Sequence, residues 1–360
     1  GSSTALMGLS VGVYLGTSAI FQILVGPLSD RIGRRTVSLW ALIIFSVVSI
    51  SCVYAPNTFV FMVLRALQAI AACTFVVARA IVRDTTETQA SGSKIAYISM
   101  GTAICPMFGP ALGGLLDGWF GWEANFWFIG GLGIFILLIA YFDLGETVPE
   151  STQGFRQQFS EYPELLLSRR FWGYCLASAF GAGAFFAYLG GGPFVGSIVY
   201  NLSPEMLGLY FGAPAIGYFF GNFLSGRFTI RFGIDAMILW GLWIIFFGLS
   251  LSMVCSYVGY GTVETFFGFM IFVGLGNGLT IPNATAGMLS VRPHLAGTAS
   301  GLGGAMMIAI GAALSTLAGA FLIPGSNEMP LLMLMWFSSL SGVAVIIYVR
   351  QRNKRLKKSV

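Results

Sequence analysis

The chain has 360 residues, of which 56% are hydrophobic and 15% aromatic, whereas only 9% carry a charge. This composition leaves too little polar surface to cover a water-soluble domain and is typical of a polytopic membrane protein. The formal net charge of +5 therefore reflects membrane topology and contact with anionic lipids rather than nucleic-acid binding.

Windows of about 20 apolar residues, the length that crosses a bilayer core, recur along the whole chain. Their apolar residues run continuously, whereas membrane strands would alternate, so the windows predict helices. Eleven spans are predicted, at 5–27, 36–55, 58–82, 93–116, 124–143, 171–199, 206–227, 236–258, 263–290, 296–322 and 330–349.

Lysine and arginine residues are distributed unevenly among the predicted connections. All but Arg65 fall in or beside alternate connections or in the carboxyl-terminal tail. Because cytoplasmic loops carry the excess of cations, this pattern places the carboxyl end in the cytoplasm. An odd number of spans then places the amino end outside, and we expect one further helix upstream.

The longest polar stretch separates five predicted spans from six. It divides the chain into an amino-terminal bundle at 1–144, a cytoplasmic linker at 145–170, a carboxyl-terminal bundle at 171–349 and a basic tail at 350–360.

Two pairs of segments are similar between the halves. LSDRIGRR, residues 28–35, corresponds to LSGRFTIRFG at 224–233, and QASGSKIAYISMGTAI at 89–104 corresponds to TASGLGGAMMIAIGAAL at 298–314. Such pairs indicate an internal repeat. They predict two pseudo-symmetric helical bundles.

Charge is concentrated in the stretch GPLSDRIGRR, which begins at Gly26. Gly26 and Gly33 permit a tight turn and close helix approach, and Asp30 can face a helix amino terminus or an arginine. Anchoring to the cytoplasmic surface would explain Arg31 and Arg34 but requires no acid between two glycines. We therefore predict that these five residues form a charged latch that favours one of two conformations.

Arg65 lies inside a predicted span, about two turns from its outer end. A charge at that depth costs at least ~2.5 kcal/mol, which predicts that Arg65 faces a polar cavity; snorkelling to the interface is the alternative. Gln68 follows one turn later and Arg79 about four turns later, near the same helix face. We assign all three to a substrate or proton pathway.

Small residues and prolines line the fourth predicted span, in GTAICPMFGPALGG. Glycines make a smooth helix face and prolines bend it, so either a specific close contact with another helix or generic small-residue packing would explain these residues. The residues assigned to this motif are Gly101, Gly109, Pro110, Gly113 and Gly114.

Two glycine-rich stretches of the second half, 179–194 and 274–287, are expected to bend helices toward a cavity. Their aromatic and amide side chains suit an amphipathic organic ligand, with core packing as the alternative. The pathway candidates here are Phe185, Tyr188, Asn277 and Asn283.

Several of these stretches together resemble the major facilitator superfamily. GPLSDRIGRR matches its signature loop between the second and third helices, RALQA at 65–69 resembles its fourth-helix arginine motif, and GTAICPMFGPALGG resembles the fifth-helix motif of its proton-coupled exporters. RD at 83–84, GPFV at 192–195 and PHLAGTASGL at 293–302 are similar to the bicyclomycin- and chloramphenicol-resistance (Bcr/CflA) branch. The resemblance covers nearly the whole chain.

The resemblance implies an all-α integral membrane protein with the major facilitator fold, of whose twelve native helices the chain holds eleven. It implies a monomeric, alternating-access efflux transporter that exports small amphipathic drugs or metabolites across the bacterial inner membrane, among membrane lipids. The proton is then the coupling ion, and no cofactor or metal is expected. A proton-coupled importer of a sugar or other nutrient on the same fold is the alternative.

The resemblance also has implications for single residues. Asp30 is expected to meet the cytoplasmic start of the 296–322 helix. The proton-binding carboxylate is expected on the upstream helix, because the acidic residues of this chain lie near the ends of the predicted spans. An enzyme is not expected, since no deep cluster of His, Ser or acidic residues is present in the sequence.

Overall fold

The computed structural model describes residues 4–147, 163–322 and 325–358. Within helices, the side chains of 4–13, 15, 16, 19, 88, 89, 102–111, 114, 204, 205 and 356–358 lie outside the description. The described ranges consist of helices joined by short turns and contain no strand.

Six α-helices form the first part of the chain: α1 Thr4–Ile32, α2 Arg34–Val53, α3 Thr58–Gln68, α4 Ala72–Asp84, α5 Thr88–Phe120 and α6 Glu123–Asp143. Seven follow in the described remainder: α7 Arg169–Phe194, α8 Pro204–Phe211, α9 Ala213–Phe232, α10 Ile234–Tyr257, α11 Val263–Leu289, α12 Ala296–Phe321 and α13 Met329–Lys358.

Every predicted span corresponds to one helix or to two consecutive helices. The third span is α3 and α4, joined by the 3₁₀ turn Ala69–Ala71, and the seventh is α8 and α9, which meet at Gly212. Pro214 lies in the first turn of α9, where its missing N–H costs nothing. Eight helices of the described ranges are long and apolar enough to cross a membrane, which confirms the all-α membrane class.

Two helices extend well beyond their predicted spans. α1 continues through Asp30 and ends at Ile32, before Gly33, whose φ of +99° only glycine adopts readily. α13 continues to Lys358, so the described part of the predicted basic tail is helical. Hydrogen bonds from Asn353 to other helices hold this extension in place.

The structure consists of two compact units. Unit 1 comprises Gly1–Thr85, Gly109–Pro163 and Arg292–Ala305. In it α6 packs against α2, because Gly130 and Gly133 admit the side chains of Ile50 and Ser46. A second apolar cluster joins α1, α2 and α4; its buried residues are Val25, Val37, Ala41, Cys73, Val76 and Val77.

Unit 2 comprises Thr86–Phe108, Glu164–Val291 and Met306–Val360. Its aromatic core surrounds Tyr188 and Phe267, which lie on α7 and α11. The predicted division at 145–170 differs from these units, since α5 and α12 each contribute residues to both. The difference arises from helix packing: the first turns of α12 contact α1, and those of α5 contact α9.

The internal repeat has a register different from the one that the sequence letters indicated. Gly33 and Gly233 both have positive φ, +99° and +81°, and both precede a helix. The two glycines are 200 residues apart, so equivalent positions of the two repeats differ by 200 in residue number. Gly26 then corresponds to Gly226, and each lies at a close contact with another helix. The predicted match of 28–35 with 224–233 aligned the dipeptide LS at the start of both segments. This alignment is displaced by four residues, because the two LS dipeptides occupy different structural positions.

Backbone contact between α9 and α11 depends on glycine. A Cβ atom on Gly274 would clash with the carbonyl oxygen of Pro214. We expect Gly274→Ala to destabilise the protein by about 1–3 kcal/mol, because the obstructing atom is backbone and cannot rotate away. Gly268→Ala is the matched control on the same helix, since a Cβ there has no described heavy atom within 4 Å. Equal melting temperatures of the two variants in detergent would contradict this prediction.

Candidate functional site

Asp30, at the end of α1, is a buried carboxylate bound to the start of α12. The N–H of Gly297 donates to Asp30 Oδ1 at 2.9 Å, and the N–H and hydroxyl of Thr298 both donate to Oδ2 at 2.9 Å. These amides lie in the first turn of α12, where backbone donors have no partner within the helix. The carboxylate therefore caps α12 and interacts favourably with the positive end of its dipole.

Arg34 connects this carboxylate to a second one. Its Nη1 lies 2.5 Å from Asp30 Oδ1, and its Nε donates to Asp84 Oδ2 at 3.0 Å. The Arg34 side chain is 2% exposed. A buried guanidinium is tolerated when it is paired and its N–H groups are hydrogen-bonded, which the two carboxylates achieve together with the hydroxyl of Ser29, 2.6 Å from Nη1.

Glu146, which follows α6, completes what we call the charge cluster: Asp30, Arg34, Asp84 and Glu146. The N–H groups of Arg34 and Arg35 donate to its two carboxylate oxygens at 2.8 and 3.2 Å. Glu146 thereby caps α2, whose own N-cap residue, Gly33, has no side chain. The φ of +99° at Gly33 favours glycine, and a Cβ there would also displace this carboxylate, which is the flexible end of a side chain.

The sequence did not reveal the roles of Asp84 and Glu146. Glu146 lies 112 residues from Arg34 in the chain. One feature of the sequence indicated that such a partner is needed. α2 begins directly after a glycine, which has no side chain to cap the helix, so the N–H groups of its first turn need an acceptor from elsewhere in the chain. Gly26 makes the close approach predicted for it, because a Cβ there would clash with the carbonyl of Gly297, whereas Arg31 is exposed.

Arg65 lies in a second polar cluster within unit 1. It donates to Gln68 Oε1, and Gln68 Nε2 donates to the hydroxyl of Ser49 at 2.8 Å. The Arg65 guanidinium also lies 5.1 Å from the ring centroid of Tyr14, a cation–π contact. Gln68 and Ser49 are buried, so these contacts direct Arg65 inward and do not fit snorkelling to the interface.

Arg79 is half-buried on α4, but its spacing from Arg65 is not that of an uninterrupted α-helix. The 3₁₀ turn Ala69–Ala71 separates them and advances about 120° per residue instead of 100°. Fourteen residues of α-helix leave Arg79 about −40° from Arg65, and the three residues of the 3₁₀ turn add about 60°, so the two side chains lie about 20° apart and the predicted shared face is retained.

Two pathway candidates of the second half are engaged in packing. The amide of Asn283 donates to Ser225 Oγ and Leu279 O at 2.7 and 2.8 Å, and its oxygen accepts from Thr229 Oγ1 at 2.9 Å. Tyr188 is fully buried and stacks on a neighbouring ring with centroids 4.7 Å apart. These contacts favour the core-packing alternative for both residues.

Asn277 and Phe185 differ from that pair. Asn277 is 3% exposed, yet its Oδ1 has no hydrogen-bond partner among the described atoms. It lies beside Gly181 of α7, where a Cβ would come 3.1 Å from that oxygen. Phe185 is only partly buried. Asn277 therefore retains an acceptor that a ligand could use.

The glycine–proline motif lies in α5, which is helical throughout. Gly109, Pro110 and Gly114 fall among the residues whose surroundings are outside the description. Gly101 is exposed, with no described heavy atom within 4 Å of its Cβ position, and the carbonyl of Gly113 accepts a 3.3 Å hydrogen bond from Asn125 of α6. At Gly113, the described contact is thus with a helix of the same unit.

Known proteins are similar to this chain over most of its length. The family model described as Major Facilitator Superfamily matches residues 1–316. An uncharacterized MFS-type transporter, YdgK of Bacillus subtilis, is 29% identical over 95% of this chain and 85% of its own length. The chloramphenicol resistance protein of Pseudomonas aeruginosa is 31% identical over 86% of this chain and 75% of its own.

Two further comparisons agree. The bicyclomycin resistance protein homolog of Haemophilus influenzae is 25% identical over 93% of this chain and 84% of its own. The crystal structure of the human organic anion transporter MFSD10 has a TM-score of 0.68 and 18% identity, covering 94% of this chain and 83% of that one, so its likeness concerns the fold. The drug-exporter resemblance read from the motifs is confirmed. The chain is a multi-pass membrane transporter that belongs to the major facilitator superfamily.

Proposed function

We propose that this chain is a proton-driven efflux transporter that exports small amphipathic organic compounds across the bacterial inner membrane. The single observation that supports alternating access is the capping of α12 by the buried Asp30 carboxylate. The names of the relatives that confer chloramphenicol or bicyclomycin resistance support export of drugs. The carboxyl end lies in the cytoplasm, and the protein acts as a monomer without a cofactor.

The charge cluster acts as the conformational latch in this proposal. α12 is one continuous helix of 26 residues, so a change at its first turn is transmitted along its length. Contacts bias an equilibrium only if they differ between its states, and Asp30 can cap α12 only while α1 and α12 are adjacent. Loss of this cap therefore favours the alternative conformation.

The transport pathway in this proposal includes Arg65, Gln68 and Arg79 of the first unit and Phe185 and Asn277 of the second. Arg65 supplies a cation that can balance a titrating carboxylate or attract an anionic group of the substrate. Asn277 supplies a hydrogen-bond acceptor and Phe185 an apolar surface, which together suit an amphipathic molecule.

Inside-out vesicles that contain the protein test direction and coupling. We expect them to accumulate radiolabelled chloramphenicol when an inward-acidic proton gradient is imposed, and an uncoupler should abolish this accumulation. Vesicles without the protein provide the control. Accumulation that persists with the uncoupler would refute proton antiport, and gradient-driven sugar uptake into right-side-out vesicles would favour the nutrient importer instead.

A further inference from the structure

A cationic surface lies where the start of α7 meets the end of α13, both in unit 2. The two helices run antiparallel, since Gly173 packs against Val349 whereas Gly191, further along α7, packs against Leu331. At this end the Asn353 amide donates to the hydroxyl of Tyr174 at 3.0 Å. The cations of this surface are Arg169, Arg170, Arg350, Arg352, Lys354 and Arg355. Within the described residues, none of the six forms an ion pair.

Half-buried hydrogen bonds hold this surface in a fixed geometry. The Tyr174 hydroxyl donates to Asp235 Oδ1 at 2.7 Å, and Asn353 Nδ2 donates to Asp235 Oδ2 at 2.9 Å. The three residues lie on α7, α10 and α13. They attach the cytoplasmic extension of α13 to two other helices, so its cations are positioned by structure rather than carried on a free tail.

Apolar side chains lie next to these cations. Leu166 and Leu167 lie just before Ser168, the N-cap residue of α7, and Leu167 is 80% exposed. The indole N–H of Trp172, in the first turn, donates to the carbonyl of Leu166. Tryptophan and exposed leucines beside arginines are typical of the boundary between lipid headgroups and acyl chains.

Arg170 provides a specific contact point. Its Nε is buried and has no hydrogen-bond partner in the described structure. The nearby carboxylate of Asp235 is already occupied by Tyr174 and Asn353. Arg170 as a whole is half-buried, so a ligand with anionic oxygens would contact its accessible part and neutralise the neighbouring arginines.

We propose that this surface binds an anionic phospholipid. The headgroup phosphate binds the cations at this junction of α7 and α13, among them Arg352 and Arg355, which lie three residues apart on one face of α13. An acyl chain lies along Leu166 and Leu167. The proposal identifies a defined lipid site, whereas general attraction of cations to the cytoplasmic membrane surface would involve every exposed arginine equally.

Native mass spectrometry of the detergent-solubilised protein, titrated with phosphatidylglycerol, tests the site. We expect the first bound lipid to prefer phosphatidylglycerol to phosphatidylcholine. The double variant Arg352→Gln/Arg355→Gln should weaken that binding about tenfold or more. The matched control Arg227→Gln/Arg231→Gln removes two exposed arginines at the end of α9 and should change binding less than about twofold. Equal losses would overturn the proposal in favour of nonspecific attraction.

Two further arms complete the test. Asn353→Leu keeps every cation but removes two hydrogen bonds of the extension, so it should weaken phosphatidylglycerol binding several-fold; unchanged binding would refute a structured site. Melting in phosphatidylcholine verifies that each variant is folded. Glycerol 3-phosphate, which has the phosphate but no acyl chain, should not compete at concentrations that saturate the lipid, and effective competition would identify a small-anion site instead.

Discussion

Arg65→Ala is expected to abolish gradient-driven uptake of every substrate in inside-out vesicles. The arginine is half-buried and binds Gln68 and the ring of Tyr14, so its removal eliminates the cation and also leaves a buried amide without its partner. If Arg65 balances a titrating carboxylate, that acid would lose its counter-charge and its protonation would no longer be linked to transport.

Arg65→Lys tests whether the positive charge at this position is sufficient or whether the shape of the guanidinium is also required. Lysine keeps the positive charge but cannot reproduce the planar contact with Tyr14 together with the bond to Gln68, so partial activity is expected. Expression and melting temperature should be measured for both variants, because loss of fold would also abolish uptake. A folded Arg65→Ala protein with full coupled transport would exclude this residue from the pathway.

Asp30→Asn is expected to release the first turn of α12. The amide that replaces one carboxylate oxygen cannot accept hydrogen bonds, and Arg34 loses one of its two carboxylates. A hydrogen bond to a charged group contributes about 1.5–3 kcal/mol, so the equilibrium for opening should change about tenfold or more. Hydrogen–deuterium exchange of the amides of Gly297 and Thr298 should accelerate accordingly, and transport should decrease.

Ile230→Asn is the matched control for this variant. The offset of 200 residues places Ile230 at the position of Asp30 in the second repeat, but its side chain is 58% exposed, whereas Asp30 is 5% exposed. The same asparagine at this site should leave exchange at 297–298 and transport close to wild type. Unchanged exchange in Asp30→Asn, or an equal effect of both variants, would contradict the latch.

The comparison with Ile230 also shows that the two repeats differ in charge. Gly26 and Gly226 both allow another helix to approach closely, with Gly297 at the first position and Tyr97 at the second. An acid accompanies this contact in the first repeat alone. The carboxylate cap of α12 therefore has no counterpart at the equivalent position of the second repeat, although a close glycine contact occurs in both.

The sequence by itself determined the membrane class and the approximate limits of the spans, and it indicated GPLSDRIGRR and Arg65 as unusual. These features follow from local properties: apolar length, the distribution of cations, and an acid or arginine where an ordinary span would have none. The bond between Arg65 and Gln68 was predictable for the same reason, since residues three apart lie on one face of a helix.

Tertiary structure alone decided which distant groups meet. Asp84 and Glu146 join Arg34 across 50 and 112 residues, and Asn283 binds Ser225 and Thr229, so its amide is used for packing rather than exposed to a pathway. The repeat register also required backbone angles, since identical letters at 28 and 224 occupy different positions. The physical reason is common to these cases: a buried polar group must find a partner, but its local sequence does not specify which distant helix supplies one.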